Sequence, residues 1–228
     1  MVVTDLQLSI EANVTTAIVG ESGSGKSTLL QLINGLVLPD TGDVLLGKQP
    51  IDYSDLPRLR RSMGYAVQGA GLFPHLTIFE NVTLIARLEG WSVEKVEARY
   101  QYLFELMNLD PLFSDRYPNS LSGGQQQRAS LCRAMMLNPP LMLLDEPFSA
   151  LDPITRRGIH EEFQKLQKSE SRTMILVTHD MAEAARLSDH LVILKDGEIV
   201  QQGTLESISD HPADEYVASL LTLKEGGS

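Results

Sequence analysis

The sequence has little of several things, and each shortage excludes a class of protein. One cysteine, Cys132, occurs in 228 residues, so an internal disulfide is impossible and a disulfide-stapled secreted domain is excluded. No run of about 18 apolar residues occurs, which excludes a membrane-spanning helix in this sequence. The first 19 residues lack the basic start and the continuous apolar stretch of a signal peptide. We therefore expect a globular cytoplasmic protein.

Positive charge is also scarce. Nineteen Lys and Arg residues stand against thirty Asp and Glu residues, which gives a net charge of −11. A duplex nucleic acid is bound through cations that neutralise its phosphates, so we expect no nucleic-acid partner. Any phosphate that the protein binds must be held by a local site. The rest of the composition, 43% hydrophobic and 21% charged, is typical of a globular domain.

Short apolar runs alternate with helical patterns, which predicts an α/β fold with a mostly parallel sheet. The predicted strands are 16–19, 44–46, 63–67, 141–144 and 174–177, followed by a hairpin of 191–194 and 198–200. The predicted helices are 78–88, 93–107, 123–137 and 214–221. We expect an α/β core of residues 1–71 and 139–228, a helical insert at 72–138, and a loose tail at 226–228.

A glycine-rich segment between the first strand and a helix fits the pattern G-x-x-x-x-G-K-[ST]. Backbone N–H groups in such a loop surround an anion, and the helix N-terminus adds partial positive charge. The lysine neutralises the outer phosphates, and the following hydroxyl is a ligand for Mg²⁺. The pattern predicts a site for a nucleoside triphosphate. Its residues are Gly20, Glu21, Ser22, Gly23, Ser24, Gly25, Lys26, Ser27 and Thr28.

Two acids follow the apolar strand at 141–144. Carboxylates at the carboxyl edge of a parallel sheet face the crevice where such folds bind ligands. Asp145 suits a Mg²⁺ site, and Glu146 suits a base that orients and deprotonates a water molecule. Taken alone, the pair could equally be two solvated acids at a strand end.

A second anion site is predicted at the start of the helix at 123–137. Ser122 is a suitable N-cap, but the adjacent Gly123 and Gly124 are costly at a helix start unless another group approaches the backbone closely. The alternative is a capping turn without a ligand.

Together these motifs closely resemble the nucleotide-binding subunit of an ATP-binding cassette (ABC) transporter over nearly the whole chain. By this resemblance, residues 121–125 are the signature motif, Gln68 is the Q-loop glutamine, residues 149–152 are the D-loop, and His179 is the switch histidine. The implied fold is a P-loop NTPase core with a mostly parallel sheet, an antiparallel β subdomain and a helical signature subdomain.

The resemblance implies an ATPase whose cofactors are ATP and Mg²⁺. Its catalytic residues would be Glu146, His179 and Lys26, and its metal site would be formed by Ser27, Gln68 and Asp145. Two subunits, identical or paralogous, would meet head to tail around two ATP molecules. Besides the phosphate loop and Gln68, the residues implied to contact ATP are Ser122, Gly123, Gly124, Gln125 and Asp152.

The resemblance also implies a place beside a membrane. The segment Phe73-Pro74-His75 and the helical insert would receive a separate transmembrane permease on the inner face of the cell membrane, unless Leu72 and Phe73 simply pack inward. A single domain without attached membrane spans is similar to importers that work with an extracellular or periplasmic solute-binding protein.

Several short segments favour one branch of importers, that for glycine betaine, choline and related osmoprotectants. These segments are 32–36, 71–75, 116–118 and 145–156. An amino-acid importer, an exporter subunit and a non-transport ABC ATPase remain open as alternatives.

Two departures from the family qualify the expected site. Relatives carry an aromatic residue before the phosphate loop that stacks on adenine, yet the first aromatic residue here is Tyr53. We expect a late chain start and a loss of about 1–3 kcal/mol of stacking. A regulatory module after the ATPase domain is not expected.

Cys132 should be a small buried residue, and His160, His190 and His211 lack zinc-site spacing.

Overall fold

The computed structural model describes residues 3–170 and 172–222, so the predicted tail at 226–228 lies outside the described residues. The chain forms two compact units, Met1–Arg60 with Arg172–Ser228 and Arg61–Ser171. The strands are β1 (Thr15–Val19), β2 (Leu45–Leu46), β3 (Gln49–Pro50), β4 (Met63–Ala66), β5 (Leu141–Asp145), β6 (Thr173–Thr178), β7 (His190–Lys195) and β8 (Glu198–Gly203). The α-helices are α1 (Lys26–Ile33), α2 (Leu56–Arg61), α3 (Ile78–Leu88), α4 (Val93–Leu106), α5 (Gly123–Met135), α6 (Pro153–Glu170), α7 (Met181–Leu187), α8 (Leu205–Asp210) and α9 (Glu215–Thr222).

The first unit contains a mostly parallel sheet in the order β6-β1-β7-β8. Strand β1 pairs in parallel with both β6 and β7, and all five of its residues are buried. The register places Val19 opposite Thr178, so β1 and β6 end at the same edge of the sheet. Strand β8 returns antiparallel to β7 through Asp196 and Gly197, whose φ angles are +49° and +85°. Two positive φ angles are typical of the tight hairpin turn that the sequence predicted.

The first unit also holds the antiparallel pair β2-β3, in which Leu45 pairs with Pro50. Both residues of β2 are exposed. The predicted strand at 44–46 is therefore present as part of a small antiparallel ladder, separate from the parallel sheet.

The second unit combines the parallel pair β4-β5 with helices α3 to α6. Ala66 lies opposite Leu144, so β4 and β5 also end together. Between residues 72 and 138, all of which the structure describes, the regular elements are α-helices and 3₁₀ turns. An aromatic cluster joins α3 and α4. The ring centroids of Phe79 and Tyr100 lie 4.8 Å apart, and those of Tyr100 and Phe104 lie 4.3 Å apart. This cluster packs α4 against α3.

Candidate nucleotide site

The phosphate loop joins the buried end of β1 to α1. Gly25, the residue before the helix, has a left-handed backbone with φ of +101°. The ammonium group of Lys26 is buried and donates hydrogen bonds to the carbonyl oxygens of Gly20 and Glu21 at 2.9 and 2.7 Å. These bonds satisfy a cation that would otherwise be costly to bury, and they hold its charge inside the loop.

The loop leaves no room for a larger residue at its first position. A Cβ atom on Gly20 would lie 2.0 Å from the carbonyl oxygen of Leu194 in β7. The hydroxyl of Ser24 is buried, and it has no hydrogen-bond partner among the described residues. A buried polar atom without a partner is suited to a ligand that supplies one.

Tyr216 of α9 is a contact of the loop that sequence reasoning missed. Its hydroxyl accepts a hydrogen bond of 3.3 Å from the N–H of Glu21, and the Lys195 ammonium lies 4.6 Å from its ring centroid. Burial raises the pKa of the Tyr216 hydroxyl above its ordinary value. Only tertiary folding brings Glu21 and Tyr216 together, since 195 positions separate them in the sequence.

His179 lies at the same sheet edge as the phosphate loop, because it follows β6 as Gly20 follows β1. Its side chain is exposed. The loop around it is held by hydrogen bonds: the N–H of Asp180 donates to the Thr178 hydroxyl at 3.0 Å, and the Thr178 hydroxyl donates to the Glu183 carboxylate. The Asp180 carboxylate caps α7 by accepting from the N–H groups of Ala182 and Glu183.

In the second unit, the carboxyl ends of β4 and β5 bring Gln68 to Glu146. The Gln68 amide donates a hydrogen bond of 3.1 Å to the Glu146 carboxylate. Asp145, the last residue of β5, is buried, whereas Glu146 is half-buried. Glu146 also has a positive φ of +47°, which is uncommon for a residue with a side chain. The structure thus places Gln68, which the resemblance assigned to the metal site, beside Glu146, which it assigned to catalysis.

The signature segment begins α5 with a reciprocal capping box. The Ser122 hydroxyl accepts from the Gln125 N–H at 3.3 Å, and the Gln125 side-chain oxygen accepts from the Ser122 N–H at 2.8 Å. Ser122 and Gly123 are exposed. The predicted N-cap is therefore confirmed, and the start of the helix faces outward.

Asp152 ends the segment between β5 and α6. Its carboxylate accepts from the N–H groups of Ile154 and Thr155 at 3.1 and 3.0 Å, as expected at a helix N-cap. Hydrogen bonding to Thr155 lowers the pKa of this carboxyl below its ordinary value. The side chain remains exposed.

Comparison with known proteins decides the family. The family model described as "ABC transporter" matches residues 3–149. The chain belongs to the ABC transporter family.

The relatives that the chain matches include ATP-binding proteins named for glycine betaine transport or uptake. It is 46% identical to the glycine betaine/carnitine/choline transport ATP-binding protein OpuCA of Bacillus subtilis, over 96% of this chain and 58% of that protein. It is 41% identical to the glycine betaine uptake system ATP-binding protein YehX of Escherichia coli, over 99% of this chain and 73% of that protein. The chain thus spans little more than half the length of OpuCA.

Solved ABC cassettes share the fold. A dimeric post-hydrolysis state of the ATP-binding cassette MJ0796, bound to ADP and Pi, superposes with a TM-score of 0.84 at 34% identity, over 90% of both chains. The predicted α/β P-loop NTPase fold is confirmed by this likeness. No helix in the described ranges 3–170 and 172–222 is long and apolar enough to cross a membrane.

Proposed function

We propose that the chain binds and hydrolyses Mg²⁺-ATP and thereby powers solute import. The observation that carries the proposal is the phosphate loop before α1, where the Lys26 ammonium is buried and the buried Ser24 hydroxyl has no hydrogen-bond partner among the described residues. Residues 20–28 would hold the triphosphate, with Lys26 neutralising its outer oxygens. The names of OpuCA and YehX describe ATP-binding proteins of a transport system and an uptake system, which supports this proposal.

The residues assigned to the metal fit Mg²⁺. Ser27, Gln68 and Asp145 offer hydroxyl, amide and carboxylate oxygens, the hard donors that this ion prefers. The bound ion would neutralise charge on the phosphates. In the described part of the chain, no group of three or more His, Cys, Asp or Glu side chains is placed to hold a metal ion.

Glu146 is the residue that we assign to water activation. Its carboxylate would accept a proton from the attacking water as the bond to the γ-phosphorus forms and the bond to the ADP oxygen breaks. Gln68, which donates to this carboxylate, would fix its orientation. His179 would contact the γ-phosphate from the end of β6.

Two copies would close head to tail around two ATP molecules. Ser122, Gly123, Gly124 and Gln125 of one copy would cover the triphosphate held by the other, and Asp152 would lie near the seam. The exposure of Ser122 and Gly123 is consistent with that role. The partner copy would be identical or a paralogous ATPase subunit.

The protein would work peripherally on the inner face of the cell membrane, attached to a separate permease. Phe73, whose side chain is 44% exposed, belongs to the surface that we assign to this partner. We propose glycine betaine, choline or a related osmoprotectant as the solute, because the names of OpuCA and YehX include such solutes. A solute-binding protein would act indirectly, through the permease.

Within the chain, residues 72–138 would form the helical subdomain.

The test of this function is the variant Glu146→Gln. It should retain ATP binding, lower turnover about 10²- to 10⁴-fold, and accumulate an ATP-bound dimer in gel filtration. Glu162→Gln is the matched control, because among the described residues Glu162 pairs with Lys165 on the surface of α6, away from Glu146, and its substitution should not alter turnover. Normal hydrolysis by Glu146→Gln would exclude the assigned role.

A further inference from the structure

One buried side chain on the signature helix bridges the backbone around Glu146. Gln127, in the second turn of α5, is 3% exposed. Its amide nitrogen donates a hydrogen bond of 2.8 Å to the carbonyl oxygen of Glu146, and it lies 3.4 Å from the Ser149 hydroxyl. Its amide oxygen accepts a bond of 2.9 Å from the N–H of Ala150. Both ends of one amide are thus used on residues 146–150.

These bonds act where the backbone is strained. A side-chain-bearing residue in the left-handed region, such as Glu146 with φ of +47°, keeps that conformation only when its surroundings impose it. The Glu146 carbonyl accepts from Gln127, from the Ser149 hydroxyl at 3.0 Å and from the Ser149 N–H at 3.3 Å. Of these donors, Gln127 alone comes from another element.

The signature helix approaches the same segment closely. A Cβ atom on Gly124 would lie 3.2 Å from both the carbonyl oxygen of Ala150 and a side-chain carbon of Leu151. This contact is tighter than an ordinary one, so a side chain at position 124 would require α5 or residues 150–151 to shift by a few tenths of an ångström. The absence of a side chain at Gly124 thus has a reason within this chain, in addition to any ligand at the helix start.

We infer that Gln127 is a positioning residue: it fixes the backbone of Glu146 to the signature helix and so sets where the Glu146 carboxylate points. The inference rests on the proposed function, because it gives Gln127 its effect through Glu146. An amide is required, since one partner is an acceptor and the other a donor. A carboxylate at position 127 satisfies Ala150 but presents an oxygen to the Glu146 carbonyl.

The experiment compares Gln127→Glu and Gln127→Met with wild type in steady-state ATPase assays. Both variants should lower kcat about 10- to 100-fold, the effect expected of a small misplacement of a catalytic group, with KM for ATP changed less than threefold or so. The control is Gln126→Glu, one position earlier on α5, because the Gln126 amide donates to the Leu121 carbonyl and, within the described part of the chain, makes no hydrogen bond to residues 146–150. Thermal melting of each variant reports whether it is folded. If Gln127→Glu does not fold, the kcat of Gln127→Met tests the inference.

A double-mutant cycle with Glu146→Gln separates positioning from a merely structural role. If Gln127 acts through Glu146, then Gln127→Glu should slow single-turnover hydrolysis little further in the Glu146→Gln background. Multiplicative effects, or a wild-type kcat in both Gln127 variants while Glu146→Gln is inactive, would overturn the inference and leave the proposed function standing. A fully active Glu146→Gln would instead overturn the proposed role of Glu146, and with it the role of Gln127.

Discussion

Single residues in the first unit are constrained by atoms far away in the sequence. Gly20 is an example, because the oxygen that excludes a side chain there belongs to Leu194 of a neighbouring strand. The sequence pattern marks Gly20 as part of a phosphate loop, but the steric reason for a glycine becomes visible only in the folded sheet.

Gly20→Ala should destabilise the protein and abolish ATP binding. The added Cβ would lie 2.0 Å from backbone, so the loop or β7 must shift, at a cost of about 1–3 kcal/mol in the free energy of unfolding. Gly158→Ala is the control, since nothing lies within 4 Å of its added Cβ and alanine favours the interior of α6. Urea denaturation measures both variants. A Gly20→Ala protein as stable as wild type would contradict the prediction.

Cys132 should be unreactive in the native protein. It is buried in α5, its thiol donates to the Leu103 carbonyl at 3.4 Å, and burial raises the pKa of the thiol far above its ordinary value. Iodoacetamide at pH 8 should label it only after unfolding, which mass spectrometry detects.

The same shift affects stability in alkali. Above the pKa of the thiol in the unfolded chain, about 8.5, the unfolded chain releases the Cys132 proton while the native state keeps it. The stabilising contribution of this thiol to the free energy of unfolding is therefore complete below about pH 8.5 and declines above it. Cys132→Ala should flatten that decline in denaturation curves between pH 8 and 10. An unchanged slope would show that other groups cause it.

At the scale of elements, the second unit starts two helices with the same device. Thr77 and Glu80 form a capping box at α3, just as Ser122 and Gln125 do at α5. Each box satisfies two backbone N–H groups that the first turn of a helix leaves without partners. Because the two capping boxes make the same hydrogen bonds, substitutions in both can distinguish a stabilising role from a functional one.

Thr77→Ala and Ser122→Ala should each lower the free energy of unfolding by about 1 kcal/mol. Only Ser122→Ala should also reduce ATP turnover, since only the start of α5 is proposed to contact ATP. Chemical denaturation and a steady-state ATPase assay on the same preparations check this. Equal loss of turnover in both variants would mean that helix stability, and not nucleotide contact, explains the effect.

At the scale of the whole molecule, the net charge opposes self-association. Each copy carries −11, so two copies repel, and ATP adds further negative charge. Salt screens such repulsion, with a Debye length of about 10 Å at 0.1 M. We expect the ATP-bound dimer of Glu146→Gln to be favoured by moderate salt, unlike an association held by exposed ion pairs.

Cross-linking of mixed chains tests the head-to-tail arrangement. In a Cys132→Ser, Glu146→Gln background, one chain carries Ser22→Cys and the other Ser122→Cys, both exposed positions. A short bis-maleimide with ATP should give a cross-linked dimer only after the two chains are mixed. Each chain alone, or the mixture without ATP, should remain mostly uncoupled. Strong cross-linking of Ser22→Cys chains to each other would indicate a different arrangement.

Prediction from sequence succeeded where a local pattern carries the information. The β1 strand, the phosphate loop and α1 follow from one motif, and the Asp196-Gly197 turn follows from its dipeptide. Boundaries shifted by one or two residues, as at α5, which ends at Met135 where 137 was predicted. Helix α6 was not predicted at all, although Asp152 gives its start a recognisable cap.

The sequence by itself determined the family, because a phosphate loop, acidic strand ends and helix caps need particular residues at short fixed spacings. Only the tertiary structure decided which distant groups meet. The amide of Gln127 on Glu146, the hydroxyl of Tyr216 on Glu21 and the oxygen of Leu194 against Gly20 join residues 19 to 195 positions apart. Such contacts depend on the register of strands and the packing of helices, which no local pattern encodes.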